Sequence, residues 1–256
     1  MKALILSSSL KKANSFTLRI AKTFLKRVDC SEIEIVYLCE KKINYCNGCM
    51  SCFKTKNCII DDDIADIKNQ IIMSDLIIFS TPVYFFSVSS VMKTLLDRLV
   101  IWGYNYFKGK KAFVVTTADG GGVNPTIKYL NKFFGFSGFI NKGWLYCFLP
   151  EFMNYKQENS RFQKQLKSVV NSFKKEKNIY RPSLDDYIFY NVRKRLISHG
   201  RKKYYIEYND WKESGQLEMI YFKNDKVIIK NSFLKSILGR IISKFMIYET
   251  PYRLGN

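Results

Sequence analysis

The stretch "SDLIIFSTPVYFFSVSSVMKTLLDRLV" spans Ser74–Val100. Its first part, Asp75–Ser80, is a short apolar run without polar alternation, the pattern of a strand buried on both faces. Its last part, Ser87–Val100, sets Val88, Val91, Leu95 and Leu99 on one helical face. Between them, Thr81–Ser87 carries a proline and three aromatics. A doubly buried strand feeding a helix is the repeating unit of a parallel sheet, because a parallel neighbour can be reached only by a crossover.

The same unit recurs in both directions. Upstream, Lys2–Ser8 is a strand, and Asn14–Val28 is a helix with Phe16, Ile20, Phe24 and Val28 at every fourth position. Ile33–Leu38 is the next strand. A cysteine-rich loop follows, and then Asp61–Asp63, carboxylates suited to a helix N-terminus, lead into the helix Ile64–Met73. Downstream come the strand Lys111–Thr117, the helix Pro125–Phe136, the strand Gly143–Leu149 and a polar helix, Tyr155–Glu176. Five alternations predict an α/β fold, a doubly wound five-stranded parallel sheet with helices on both faces. Ligands of such sheets sit beyond the C-terminal strand ends. That directs attention to Ser7–Ser15, Thr81–Ser87 and Thr117–Asn124.

These three loops differ in chemistry. "SSSLKKANSFT" is rich in hydroxyls and opens a helix, where free N–H groups attract phosphate. It has neither a dinucleotide fingerprint nor a P-loop, so it suits a single phosphate. "TPVYFFSVSS" places Tyr84, Phe85 and Phe86 at a sheet edge, where they gain from a flat cover. "TTADGGGVNP" holds three glycines that let backbone approach a ligand. Together they suit a flat ring with a phosphate tail. The lone histidine of the chain is His199. A histidine triad, histidine-rich zinc site or histidine base is therefore excluded from the first part, and a cofactor is expected to carry any chemistry there.

"ALILSSSLKKANSFTLRIAKTFL" and "SDLIIFSTPVYFFSVSSVMKTLLDRL" resemble the phosphate loop and the Thr-Pro-Val-Tyr segment of NADPH-dependent FMN reductases, which are flavodoxin-like. "CNGCMSCFKTKNCIIDDD" resembles the cysteine loop of their iron–sulfur flavoprotein branch. The resemblance covers about residues 1–175 and implies the strand order 2-1-3-4-5. It places Ser8, Asn14, Ser15 and Thr17 around the phosphate of FMN. It sets Pro82, Val83, Tyr84 and Phe85 along the isoalloxazine edge, with Thr117 and the Asp119–Gly122 turn, including Gly120 and Gly121, on the other side. Ser7, Ser9 and Leu10 stand where the family often has Gly, Pro and Arg. Lys11 or Lys12 then supplies the missing charge only as a point charge. The implied activity is an oxidoreductase passing electrons from NAD(P)H through FMN to an unidentified acceptor. The alternative is a flavodoxin-like electron carrier without nicotinamide chemistry.

Cys46, Cys49, Cys52 and Cys58 form C-x2-C-x2-C-x5-C. Three close thiolates suit corners of a [4Fe–4S] cluster better than mononuclear zinc, which usually takes two separated pairs. A loop with no metal is the competing reading; zinc or a redox disulfide is a third. Cys30, Cys39 and Cys147 are expected to be small buried apolar residues.

Residues 177–256 form a basic, aromatic-rich extension beyond a domain of residues 1–176. The spacing of Tyr187, Tyr190, Val192 and Leu196 predicts one helix. Asn231–Tyr248 predicts another, with Phe233, Leu234, Ile237, Leu238, Ile241, Ile242 and Phe245 as a stripe expected to pack on the domain or a second subunit. A peripheral membrane contact by this helix is the less favoured reading. The net charge is +20, with 20 Lys/Arg against 11 Asp/Glu up to residue 150 and 22 against 11 after it. The excess is therefore denser after residue 150; one reading is an anionic partner such as nucleic acid or a membrane surface, and the favoured one is a Lys-, Asn- and Ile-rich composition that runs through the whole chain. Nucleic acid is not an expected partner, and a homodimer is expected by resemblance. With no long apolar N-terminal run and no stretch of ~18 apolar residues, a cytoplasmic protein is expected.

Overall fold

A computed structural model describes residues 1–152, 156, 160–175, 179–222 and 228–248. Five parallel strands form one sheet in the order β2-β1-β3-β4-β5. They are β1 (Lys2–Ser7), β2 (Glu32–Tyr37), β3 (Leu76–Pro82), β4 (Lys111–Ala118) and β5 (Ile140–Phe148). The helices of this region are α1 (Phe16–Arg27), α2 (Ser51–Thr55), α3 (Ile64–Met73), α4 (Ser90–Leu99), α5 (Val123–Ser137), α6 (Leu149–Phe152) and α7 (Arg161–Lys175). The predicted polar helix thus begins later than Tyr155. Tyr155 and Glu176, its expected ends, lie outside the described residues.

The uninterrupted apolar strands are explained by what covers them. On one face Ile5, Ile78, Phe113 and Val115 pack against α1 and α7 through Leu18, Phe24, Leu166 and Phe173. Phe24 stacks on Phe113 at 4.2 Å between ring centroids. On the other face Leu4, Leu6, Ile77, Phe79 and Val114 meet Ile67, Leu95, Leu99 and Leu130 of α3, α4 and α5. β5 starts earlier than its apolar run suggests, because a register irregularity opposite Ala112–Val114 lets Ile140 join the sheet. Gly143 in this strand has φ +108°, backbone that a side chain rarely adopts.

The extension forms α8 (Leu184–His199), α9 (Tyr205–Glu213) and α10 (Phe233–Tyr248), with a two-stranded parallel ribbon of β6 (Ile179–Tyr180) and β7 (Ile228–Ile229). Its core is aromatic: Tyr187, Tyr190, Trp211, Tyr221 and Phe222 cluster against Ile140 of β5. α8 begins with a capping box in which Ser183 and Asp186 satisfy each other's backbone N–H.

α10 packs on α8 the opposite way from the expectation that its stripe faces the domain. Ser236, Gly239 and Ser243 are its inward residues, and a Cβ on Gly239 would lie 2.6 Å from Tyr187 Cβ. The two backbones approach too closely for anything larger, so the small face is buried and the apolar stripe turns outward. Among the described residues no helix is long and apolar enough to cross a membrane. Of the three scattered cysteines only Cys147 is buried, and Cys30 and Cys39 are half-buried. Burial pushes the Cys147 thiol up to about 11, with Glu151 adding to it, so it is an inert thiol at neutral pH.

Candidate functional site

The C-terminal ends of β1, β3 and β4 bring the three loops together. Ser8 and Ser15 are buried, and each is used by the fold. Ser8 Oγ donates to the Ser80 carbonyl at 3.4 Å and accepts from Ser89 Oγ at 2.8 Å. Ser15 caps α1 by accepting from Leu18 N at 3.4 Å, and shares a 2.7 Å hydrogen bond with Thr17 Oγ1. Asn14 is exposed on the turn before this cap. Lys12 is ion-paired with Glu40 at 2.7 Å, whereas Lys11 lies 5.6 Å above the Phe16 ring at the mouth of α1.

Ser89 was not singled out by sequence, although an N-cap of the predicted helix is the position to examine. Its hydroxyl accepts from Met92 N at 3.4 Å and donates to Ser8, so the α4 cap braces the β1 loop. Three strand residues stand out further: Ser7, which opens the first expected loop, and Ser80 and Thr116, which no expected loop includes. Their buried hydroxyls have no hydrogen-bond partner among the described residues. Ser7 and Ser80 sit side by side in the β1–β3 register. A buried hydroxyl without a partner costs about 1–3 kcal/mol. Ser7 and Ser80 share the sheet face of Ile5 and Ile78, whereas Thr116 falls on the opposite face with Val114, so the adjacent pair marks a place that a polar ligand or water satisfies.

The second loop is held by Val83 N donating to the Thr117 carbonyl at 2.8 Å. Tyr84 and Ser87 then exchange backbone hydrogen bonds of 2.9 and 3.0 Å across a four-residue turn. Its central residues, Phe85 and Phe86, both have positive φ, +41° and +61°. Asn-Gly usually supplies such backbone; two phenylalanines pay on the order of 1–2 kcal/mol each for it. The result is Phe85 standing 97 % exposed. The glycine loop closes against this turn: Gly122, at φ +81°, leaves room for no Cβ, which would sit 2.7 Å from Val83 Cγ1. Thr117 is buried at the strand end, whereas Asp119, Gly120 and Gly121 are exposed beside it.

The cysteine loop lies next to these elements and is pinned from beneath. Arg98 of α4 donates through Nη1 to Asp62 Oδ2 and the Asn44 carbonyl, both at 2.7 Å. Through Nη2 it donates to Asp62 Oδ1 at 3.0 Å and Cys58 Sγ at 3.3 Å. Both side chains of the pair are essentially buried. Asp62 also accepts from the amides of Asn44 at 2.8 Å and Ile64 at 3.2 Å, so only part of the expected carboxylate capping of α3 is realised. From above, α9 covers the loop: Lys56 Nζ pairs with Asp210 at 2.7 Å, and Phe53 meets the Tyr204 ring edge-on at 4.9 Å.

Cys46 and Cys49 are exposed, and Cys52 and Cys58 half-buried. Among the described residues they do not gather into a ready metal-holding set. They are nonetheless neighbours. Burial pushes the Cys52 thiol up, and the Cys58, Cys49 and Cys46 thiols add to the shift.

Burial works to raise the Asp62 carboxyl, but Arg98 and the two amides outweigh it and hold it below the ordinary carboxylate value. A carboxylate with a lowered folded value stabilises the protein above its unfolded value of ~3.9 and loses that contribution as pH falls through the folded value. Thermal melts from about pH 6 to about pH 3 should therefore show a steeper acid loss in the native protein than in Asp62→Asn. Equal slopes would mean that the pair does not couple to protonation.

A cavity of about 390 Å³ opens between Asn141, Trp144, Tyr180 and Asp186. It lies at the start of β5, at the other end of the strands from the three loops. The Asp186 carboxylate there is taken up by Tyr180 and Ser183.

Comparison with known proteins identifies the family and agrees with the fold. The family model described as NADPH-dependent FMN reductase matches residues 1–146. An iron–sulfur flavoprotein of Archaeoglobus fulgidus is 30 % identical over 186 residues, 72 % of this chain and 84 % of that protein. An iron–sulfur flavoprotein of Methanocaldococcus jannaschii is 36 % identical over 106 residues, covering 40 % of this chain and 55 % of that one. Among solved structures, RosB with a bound 8-demethyl-8-formylriboflavin-5′-phosphate intermediate superposes with a TM-score of 0.55 at 14 % identity, over 91 % of this chain and 92 % of that one. At that identity the likeness concerns the fold, and its span takes in much of the extension.

Proposed function

Because the chain belongs to the NADPH-dependent FMN reductase family, we propose that it is an oxidoreductase that passes electrons from NAD(P)H through bound FMN to an acceptor. The observation that carries this reading is the pair of unpartnered hydroxyls of Ser7 and Ser80, side by side toward the C-terminal ends of β1 and β3. They lie beside a capped helix start and an aromatic turn. These residues fit a phosphorylated flavin. Ser15, Thr17, Asn14 and Lys11 would hold the phosphate end at α1, with Ser8 braced by Ser89 keeping that loop in place. Pro82, Val83, Tyr84 and Phe85 would line the ring, and Thr117 with Asp119–Gly121 would close the opposite wall. Bound FMN supplies hydride acceptance at N5 and onward electron transfer. The protein's own task is to orient the ring, exclude water and admit a nicotinamide to its open side, which requires no protein acid or base. A second copy of the chain would cover Tyr84, Phe85 and Phe86.

The same reading assigns Cys46, Cys49, Cys52 and Cys58 as holders of a [4Fe–4S] cluster. The donor set suits it: four thiols and no oxygen ligands on a short loop. Their mutual effect on Cys52 is what a positively charged iron centre removes. Arg98 would donate to the Cys58 sulfur, a contact that tunes such a centre.

The test is anaerobic purification followed by an absorption spectrum, with iron and acid-labile sulfide assays on the same sample. A flavin band with broad added absorbance and about four irons per chain is expected, and NADPH or NADH should bleach the flavin in stopped-flow mixing. Cys46→Ser should lower the iron and leave the flavin. A flavin spectrum without iron would overturn the cluster assignment alone. No flavin after adding FMN would overturn the whole reading, and a flavin that neither nicotinamide reduces would make the protein an electron carrier.

A further inference from the structure

α10 contradicts the usual economy of an amphipathic helix. Its inward face is Ser236, Gly239 and Ser243, and the two serine hydroxyls are satisfied within the helix, on Phe233 O at 2.7 Å and Arg240 O at 2.9 Å. Its outward face carries Phe233, Leu234, Ile237, Leu238, Ile241 and Phe245, all exposed, Phe233 by 78 % and Phe245 by 66 %. Six large apolar side chains on one face exceed the scattered apolar residues that any surface shows. The helix is held rigidly in this pose. Tyr187 OH donates to Asn231 Oδ1 at 3.0 Å and accepts from Ser232 N at 2.8 Å, which fixes its start.

The charges on α10 itself are all of one sign. α10 contains no Asp or Glu. At 100° per residue, Arg240 and Lys244 border one side of the apolar arc and Lys235 the other. Lys194 and Arg195 of α8 lie close by: burial, and then Arg240 and Arg195 against the opposing Glu218, push the Lys194 ammonium down. A second copy of the chain would meet this face with the same cations, since a two-fold interface pairs a patch with itself. At a net charge of +20 such a face suits a negatively charged partner with an apolar interior.

We propose that α10 seats this protein on an anionic lipid surface, its stripe at the acyl boundary and Lys235, Arg240 and Lys244 reaching up to the headgroups. Long basic side chains at the rim of a buried stripe can place their charges there, and apolar area combined with attraction to anionic lipid sets the strength of such binding. At 1.5 Å per residue a helix of 16 residues lies along roughly 24 Å of surface.

The test is co-sedimentation of the full chain with vesicles of phosphatidylcholine alone and of phosphatidylcholine mixed with phosphatidylglycerol. Binding to the mixed vesicles is expected, with little to phosphatidylcholine and partial release by salt. Ile241→Asp should lower partitioning by roughly tenfold or more. The triple variant Lys235→Gln, Arg240→Gln, Lys244→Gln should lose the preference for anionic lipid. Circular dichroism identical to that of the native chain shows that these exposed changes leave the fold intact. Failure to bind mixed vesicles would overturn the proposal, and so would binding that Ile241→Asp leaves unchanged. If sedimentation instead shows an oligomer that Ile241→Asp dissociates, with no vesicle binding, the face belongs to a second copy.

Discussion

Arg98→Met lowers the free energy of unfolding by about 3–5 kcal/mol, the cost typical of removing one partner from a buried ion pair. Arg98 and Asp62 are both shielded from water, so the abandoned carboxylate would have only the Asn44 and Ile64 amides left. An exposed pair such as Lys93–Asp97, both about half-exposed, would cost under about 1 kcal/mol. Urea unfolding at neutral pH measures the difference. The double variant Arg98→Met, Asp62→Asn should recover part of the loss, because no charge is then left buried. The cysteine loop should also loosen, since Arg98 anchors Asn44 and Cys58 on either side of it. Faster alkylation of the four thiols in Arg98→Met is the accompanying readout. A loss below about 1 kcal/mol would show that solvent reaches the pair.

Gly122→Val should reduce FMN affinity by about a hundredfold, or ~2.7 kcal/mol. At φ +81° a β-branched residue is strained in any surroundings. Here its Cβ would also lie 2.7 Å from Val83 Cγ1 and 2.9 Å from the Phe86 Cα. Relief requires the aromatic turn to shift, and that turn already holds two phenylalanines in left-handed backbone. Gly120→Ala separates the causes: a Cβ there meets no protein atom within 4 Å, so a loss of affinity in that variant reports contact of the glycine wall with the flavin itself and not a displaced turn. Titrating apo-protein with FMN and following the quenching of flavin fluorescence reads both. Equal, small effects would mean that the Val83–Phe86 wall does not touch the flavin.

The sheet was legible because its strands are buried on both faces and its helices carry regular apolar spacing. Lys2–Ser8 and Asp75–Ser80 differ from the observed strands only at their ends. Other features carry no comparable signal. Phe85 and Phe86 have no propensity for positive φ, and their turn is imposed by the Tyr84–Ser87 pairing. α9 escaped notice because it is anchored by Trp211 and by Glu207, whose carboxylate is paired with Arg193 at 2.6 Å; its apolar positions form no stripe. α10 was located correctly, and of the two seats expected for its stripe, the domain and a second subunit, it turns away from the first. Apolar periodicity identifies a face without saying whether it turns inward, and Gly239 opposite Tyr187 decided that. For the site, the loops were legible from topology. The bracing by Ser89 and the Arg98–Asp62 anchor depend on tertiary contacts, although Asp62, Ser89 and Arg98 all stood in stretches already quoted.

The Lys56–Asp210 bridge joins positions 154 residues apart. A ribosome adding ~5–20 residues per second takes roughly 8–30 s to cover that distance. For that interval the nascent cysteine loop exists without the lid that α9 provides. The order of events during synthesis thus sets two regimes: any reagent or ligand that reaches the thiols early meets an open peptide, and one that arrives after release meets a loop already clamped from both sides.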